Sequence, residues 1–196
     1  MTTLHRHQTT DLADATIENE IVTSGPARKA LAGLRIAFGV TFLWAFFDKL
    51  LALGFATGYD QEGNLDRFGS AAWINGGSPT EGFLSFGVNP DSPFAGFFTS
   101  LAGYAVVDWA FMLGLLGIGL ALTLGVGMRL AAISGVTMYL MMYAAIMLPE
   151  NNPVFDAHLI GAVSLVVLAL TLAGDTWGFG KTWARTQLVR GFGILR

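Results

Sequence analysis

Residues Leu31 to Phe55, LAGLRIAFGVTFLWAFFDKLLALGF, decide the fold of this chain because they are long and apolar enough to cross a lipid bilayer. The hydrocarbon core needs about 20 mostly apolar residues in a helix. Charges stand near both ends of the run, with Arg35 at one and Asp48 and Lys49 at the other. Because an unpaired charge inside a membrane is costly, we expect these side chains to face the bundle interior, a water-filled cavity or the headgroups.

The composition of the whole chain is that of a membrane protein. Of its 196 residues, 53% are apolar and 13% are charged, and the mean hydropathy is +0.56. This is too little charge for an ordinary soluble domain, so we expect one membrane domain. The chain has no cysteine, which excludes thiolate metal sites, iron–sulfur ligation and thiol–disulfide chemistry. Its net charge of -3 gives no indication of a nucleic-acid partner.

Three further apolar segments follow, and with the first they predict an all-α, integral membrane four-helix bundle. We place the membrane domain at residues 30–174, with spans at about 31–55, 103–127, 129–148 and 153–173. Glycines in the second span permit close helix contact, and a tight turn joins it to the third. The run Glu150-Asn151-Asn152-Pro153 ends the third span and starts the fourth.

The segment between the first two spans, residues 56–102, is too long for a simple connector. We expect it to form an external cap that carries short interfacial helices. One stretch has apolar residues at roughly helical spacing: Leu65, Phe68, Ala72 and Trp73. Ser78 to Glu81 reads SPTE, a capping box with proline at the first helical position, which predicts a second short helix. Ser92-Pro93 predicts the start of a third.

Polar tails flank the membrane domain. Residues 1–29 predict a polar cytoplasmic tail without a visible cleavage signal, in which Gly25-Pro26 breaks the chain before the first span. The tail contains four scattered apolar residues, Leu12, Ile17, Ile21 and Val22. They leave two alternatives open, a mobile tail or a docking helix. Residues 175–196 alternate aromatic with basic side chains, which predicts a basic interfacial cytoplasmic tail.

The lysines and arginines set the expected orientation. With four spans, all of the 11 except Lys49 and Arg67 fall on one side of the membrane. Because positive residues are retained inside, we expect a multi-pass protein with both termini in the cytoplasm. The 56–102 cap and the turn near residue 150 are then external.

This topology brings several polar residues to one depth, near the outer ends of the spans: Asp48, Lys49, Asp108, Tyr143, Asp156 and His158. Lys49 and His158 each lie about five or six residues inside a span, roughly 7 to 9 Å down. We therefore expect a shared polar pocket in the outer leaflet. The alternatives are that Lys49 snorkels to the headgroups, that Asp156 caps the fourth helix and that His158 is a packing residue.

Four stretches of the sequence resemble the DoxX/DoxD-like membrane proteins: LRIAFGVTFLWAFFDKL, AAWINGGSPTEGF, GLLGIGLALTLGVGMRLAA and PENNPVFDAH. The resemblance runs from about Ala30 to Ala173 and implies the same four-helix membrane fold. That family includes the large subunit of a thiosulfate:quinone oxidoreductase. The resemblance therefore implies quinone-linked redox work in a bacterial plasma membrane.

The first functional hypothesis is a membrane subunit of a quinone-linked oxidoreductase, whose catalytic side chains would hydrogen-bond a quinone carbonyl and supply protons. The catalytic residues would be Lys49, Asp108 and His158, and the cofactor-binding residues Asp48, Tyr143 and Asp156. We expect no metal, haem or iron–sulfur group. Among the three histidines only His158 is placed to ligate haem, which leaves a His/Met site as the single-chain alternative.

The second hypothesis is a non-catalytic scaffold or assembly subunit of a redox complex, which grips its partners through the cap or the basic tail. A small transporter is disfavoured because few charges lie deep in spans two to four. In both hypotheses the expected partners are the lipid bilayer and other redox subunits, and a homo-oligomer is also open.

Overall fold

The chain is all-helical in the computed structural model, which describes residues 16–59, 63–147, 152 and 154–196. The helices are α1 (Glu18–Ile21), α2 (Gly25–Leu51), α3 (Ala95–Thr99), α4 (Ala105–Leu124), α5 (Met128–Ala145), α6 (Ala157–Leu170), α7 (Gly180–Ala184) and α8 (Gln187–Gly191). Shorter helical turns stand at Trp73–Asn75, Phe83–Gly87 and Gly193–Leu195. Within the described ranges, the β pairing is limited to an isolated bridge between Tyr59 and Leu65. The all-α prediction is confirmed.

Three helices in the described part of the chain, α2, α4 and α5, are long and apolar enough to cross a membrane. α6 is a shorter apolar helix of 14 residues. At 1.5 Å per residue it is about 21 Å long, against a hydrocarbon core of about 30 Å. Large apolar side chains cover the outer surface of these helices, among them Val106, 73% exposed, and Leu170, 69% exposed. An outer surface of this kind fits a lipid bilayer.

The helices α2, α4, α5 and α6 pack around one core as two close pairs, α2 with α4 and α5 with α6. In the α2/α4 pair, a Cβ added to Gly39 would lie 2.4 Å from Thr123 Oγ1, so only glycine permits this approach. In the α5/α6 pair, a Cβ on Gly135 would lie 2.5 Å from Leu165 Cδ1. Side chains from all four helices fill the centre, including Phe42, Met112, Leu122, Leu165 and Leu168. The close contact predicted for glycines of the second span is present at Gly119 of α4, where a Cβ would lie 2.8 Å from Leu43 Cγ.

The four helices alternate in direction, so the bundle has two ends. The Arg35 end holds the start of α2, the end of α4, the start of α5 and the end of α6, and the Lys49 end holds their opposite ends. The tight turn between α4 and α5 is confirmed. Its glycines, Gly125 and Gly127, have positive φ angles of 72° and 61°, which glycine adopts without steric cost.

The boundaries of the first helix differ from the prediction. α2 begins at Gly25 because the Ser24 hydroxyl accepts a hydrogen bond from the Ala27 N–H at 3.4 Å and Pro26 fits the first turn. The Gly25-Pro26 pair therefore starts the helix and does not break the chain ahead of it. α2 ends at Leu51, where Ala52 adopts a left-handed conformation with φ of 52°. The predicted turn near residue 150 lies largely outside the described residues.

The 56–102 cap contains two of its three predicted short helices. The prediction for Leu65 to Trp73 is wrong, because residues 63–72 form turns and Phe68 has a φ of 59°. The Phe68 N–H donates to the carbonyls of Leu51 and Ala52 at 3.1 and 3.3 Å. It therefore supplies a donor to carbonyls at the C-terminal end of α2, which have no partner within the helix. The Ser78 hydroxyl accepts from the Glu81 N–H at 3.1 Å as predicted, although the turn that follows it is π-helical. The third predicted helix is α3.

Both terminal segments are fastened to the Arg35 end of the bundle. For residues 16–22 the structure shows the docking alternative, since Glu18 is buried and bonded to the turn after α6; Leu12 lies outside the described residues. At the other terminus, α7 and α8 fold back so that the Arg129 N–H bonds the Arg196 carbonyl at 2.9 Å. Several aromatic side chains of this tail stay exposed, including Trp177, Phe179 and Phe192.

Candidate functional site

A large cavity lies between α4 and α5 at the Lys49 end, beneath the 56–102 cap. Its volume is about 1010 Å³, at the upper end of the range for ligand pockets. α4 contributes Phe111 and Gly114, α5 contributes Thr137 and a run of methionines, and the cap contributes Leu84 and Phe98. The walls are therefore mostly apolar and suit an apolar molecule.

Lys49 is the charged side chain on the wall of this cavity; no other charged residue lines it in the part of the chain that the structure describes. Lys49 stands in the last turn of α2, and its Nζ lies 5.9 Å from the centroid of the Phe111 ring, within range of a cation–π contact. The described residues give the ammonium no hydrogen bond and no ion pair. Its N–H donors are therefore available to a ligand.

Asp48, the neighbour of Lys49, turns away from the cavity. Successive residues in a helix point about 100° apart, so the two cannot face the same way. The Asp48 carboxylate is buried and accepts hydrogen bonds from the backbone N–H groups of Phe55 and Ala56, at 3.2 and 2.9 Å. Asp48 holds the chain where it turns out of α2 into the cap.

Asp108 fastens the roof of the cavity to α4. One carboxylate oxygen, Oδ1, accepts from the Ser78 hydroxyl at 2.8 Å, the Thr80 N–H at 3.2 Å and the Thr80 hydroxyl at 2.6 Å. Ser78 and Thr80 line the cavity, whereas Asp108 is not among the described lining residues. Asp108 thus holds this part of the cap against α4.

The other three predicted site residues hold the start of α6. Asp156 Oδ1 accepts from the N–H groups of His158 and Leu159, both at 3.0 Å, and Asp156 Oδ2 lies 2.6 Å from His158 Nδ1. The His158 ring packs edge-on against Tyr139, with centroids 6.0 Å apart. The Tyr143 hydroxyl donates to the Val154 carbonyl at 2.9 Å. The alternative in which Asp156 caps the fourth helix is the one that the structure shows.

The expectation of one shared pocket is therefore not met. Of the six residues, Lys49 lines the cavity, while Asp108 and His158 are engaged elsewhere and are not among the described lining residues. The reason is that carboxylates near helix ends are captured by the backbone N–H groups of the adjoining loops. Catalytic roles for Asp108 and His158 stay predictions. In the ranges that the structure describes, no group of three or more His, Asp or Glu side chains could hold a metal ion.

Arg35 makes the most extensive side-chain hydrogen bonding at the opposite end. It is 0% exposed, and its five guanidinium N–H groups all have backbone carbonyl partners: Leu122, Thr123, Ala173, Thr176 and Trp177. Those carbonyls belong to the last turn of α4 and to the chain that follows α6, where intrahelical donors are lacking. The partial negative charge of a helix C-terminus also favours a cation there. The signal in the sequence was an arginine inside an apolar run, but its role was not identified.

A buried acidic pair joins the two terminal segments beside Arg35. Asp175 Oδ2 accepts from the Glu18 N–H at 3.0 Å and from Arg196 Nη2 at 3.3 Å. The Thr176 hydroxyl donates to Glu18 Oε2 at 2.5 Å. Burial, opposed by this bond from Thr176, raises the pKa of the Glu18 carboxyl above its ordinary value.

Comparisons of this chain with models of protein families, with curated proteins and with solved structures gave no match. Its function is therefore inferred from its own side chains. The two features that bear on it are the apolar cavity with a single ammonium at the Lys49 end and the fastened terminal segments at the Arg35 end.

Proposed function

We propose that this chain is the membrane subunit of a quinone-linked oxidoreductase and that the cavity beneath the cap binds the quinone. The observation that carries the proposal is the ammonium of Lys49, which has no described hydrogen bond or ion pair, on the wall of an apolar cavity of about 1010 Å³. A quinone matches this cavity in chemistry, because its carbonyl oxygens can accept hydrogen bonds from the ammonium and its ring and tail are apolar like the wall. The resemblance to DoxX/DoxD-like proteins supports the same assignment.

The side chains around the cavity fit such a ligand. The hydroxyls of Ser78 and Thr80 already donate to Asp108, so Lys49 Nζ is the charged donor that can serve a carbonyl oxygen, beside the lining hydroxyls of Thr57 and Ser134. Phe111 stands beside Lys49 and provides an aromatic face against which a flat ring can pack. Met138 and Met141 have flexible thioethers that adapt to an irregular apolar tail.

A bound quinone would supply two-electron redox chemistry. The chain itself would orient one carbonyl oxygen at Lys49 Nζ, donate a hydrogen bond to it and hold a proton at that atom for transfer. Leu84 and Phe98, which belong to the cap and are buried, would exclude water from this part of the cavity. Because the chain has no cysteine for thiolate or iron–sulfur electron transfer, the electrons would come from a partner redox subunit.

The proposal includes a topology. α6, together with the residues that flank it, would be the fourth crossing, and the Arg35 end would face the cytoplasm of a bacterial cell because the basic residues gather there. Both termini would then be cytoplasmic. The cavity and its cap would lie toward the outer face of the plasma membrane.

The test compares two lysines of the same helix. In nanodiscs, Lys49→Met is expected to weaken binding of decylubiquinone by at least about tenfold, which is about 1.4 kcal/mol. Lys29→Met removes an exposed lysine at the other end of α2 and is expected to leave binding unchanged. Equal affinity in Lys49→Met and the parent would contradict the proposal. Absence of quinone binding, with stable copurification of a catalytic protein, would support the scaffold alternative.

A further inference from the structure

We infer that the cavity receives its ligand sideways from the bilayer, through an opening between α4 and α5. Its substrates are then lipid-resident molecules with a long apolar tail rather than water-soluble ones. The inference deepens the proposed function and rests on it for the nature of the headgroup. The route itself follows from which lining residues are exposed and which are buried.

Exposed lining residues form two sets, one on α4 and α5 and the other in the cap, at Ala56, Tyr59, Gly82 and Phe83. Ala110 of α4 lines the cavity and is exposed. On α5 the same holds for Ile133, 55% exposed, for Ser134 and Thr137, and for Met141, 46% exposed. These α5 positions are spaced i, i+1, i+4 and i+8, so they share one face of the helix. A row of side chains that are both lining and exposed marks an opening along the length of two membrane helices.

Other residues of the cap are packed over the Lys49 end of the cavity. Gly58, Thr80, Leu84 and Phe98 line the cavity from the cap, and all four are buried. Thr80 is in addition held to α4 by its two hydrogen bonds to Asp108. A ligand dissolved in lipid meets the opening between α4 and α5 without displacing these buried cap residues.

The interior matches a head-and-tail molecule. Lys49 offers donors at the capped end of the cavity, and Met138 and Met141 line the way towards the opening. Gly114 leaves space in this part of the cavity, since a Cβ at this position would lie 2.8 Å from Met138 Cε. A polar head held at Lys49 would therefore leave its tail between α4 and α5, in contact with lipid.

The first test plugs the opening. Ala110→Phe combined with Thr137→Phe places bulk on both helices where they line the cavity, and Leu113→Phe with Leu140→Phe is the matched control. The control residues stand three positions further along the same helices, are exposed and are not among the described lining residues. In nanodiscs the plug is expected to slow association of lipid-dissolved decylubiquinone by at least about tenfold, and the control by less than about twofold. Equal rates for plug and control would overturn lateral entry.

A second measurement needs no quinone. Because the chain has no cysteine, Met138→Cys carries a single bimane fluorophore inside the cavity. Phospholipids brominated on their acyl chains are expected to quench it, and the plug is expected to reduce that quenching at least about twofold while the control does not. If brominated lipid does not quench the fluorophore in the protein without the plug, lateral entry is overturned, even if quinone binds. A second copy that covers this face would give that result. Plug-sensitive quenching without quinone binding would refute the proposed function and retain lateral entry. If the double plug fails to fold in thermal unfolding, Thr137→Phe alone carries both tests.

Discussion

Thr80 donates two hydrogen bonds to Asp108, from its backbone N–H at 3.2 Å and from its hydroxyl at 2.6 Å. The two residues are 28 positions apart, one in the cap and one in the first turn of α4. The buried carboxylate of Asp108 thus fixes the position of the cap, at Thr80, relative to α4. Because Asp108 is reached through the cap, its effect on a ligand would be indirect.

Asp108→Ala is expected to loosen the cap while the long helices stay folded. Its removal leaves the buried N–H and hydroxyl of Thr80 without an acceptor, which costs about 2 kcal/mol of local stability. Hydrogen exchange between Ser78 and Val88 should accelerate roughly thirtyfold. Asp91→Ala is the control, since that carboxylate is exposed in the same segment, and it should leave exchange unchanged. Unaltered exchange in Asp108→Ala would show that the roof is held by apolar packing alone.

Arg35→Lys is expected to destabilise the protein although it conserves the charge. Lysine has three N–H donors where the guanidinium has five, so at least two of the buried carbonyls lose their partner. The expected loss is about 3 kcal/mol in the free energy of unfolding in detergent. Arg185→Lys, at an exposed position of the tail, should be neutral. A similar stability for Arg35→Lys and the parent would mean that charge, and not the number of donors, matters there.

Docking of residues 16–22 is expected to weaken as the pH rises. The docked segment raises the pKa of Glu18, so it holds a proton more tightly than the free segment does. Docking is therefore strongest below the ordinary pKa of a glutamate and is lost progressively as the pH rises through the raised pKa. A fluorophore on Thr23→Cys should show falling anisotropy as the pH rises from below the ordinary pKa of a glutamate through the raised pKa of Glu18.

Two glutamate-to-glutamine variants separate the titration of Glu18 from the titration of other groups. Glu18→Gln mimics the protonated acid and should abolish the pH dependence of the anisotropy. Glu20→Gln changes an exposed carboxyl of the same short helix and should retain it. Anisotropy that rises with pH, or a Glu18→Gln variant that behaves like the parent, would contradict the assignment.

The proposed topology is testable with single cysteines, because the chain has none of its own. Ser85→Cys in the cap and Gln187→Cys in the C-terminal tail are both exposed positions. An impermeant thiol reagent should label the first in intact cells and the second only after permeabilisation. Labelling of Gln187→Cys from outside would reverse the orientation.

Features that depend on local sequence were predicted well. Apolar runs of sufficient length predicted α2, α4 and α5, and the capping box predicted the bond between Ser78 and Glu81. The error at Leu65 to Trp73 has a physical cause: the spacing is helical, but the Phe68 N–H bonds the carbonyls at the end of α2. Helical periodicity carries no information about a competing partner in another segment.

The sequence by itself determined that this chain forms helices long and apolar enough to cross a membrane, with polar residues near their ends, because hydropathy and helix length are properties of contiguous residues. Only the tertiary structure decided what those polar residues do. Lys49 faces the cavity while Asp48 faces a turn, and Arg35 meets carbonyls from two distant parts of the chain. Depth in the membrane follows from counting residues along a helix, whereas facing and partner choice follow from how the helices and the cap pack against one another.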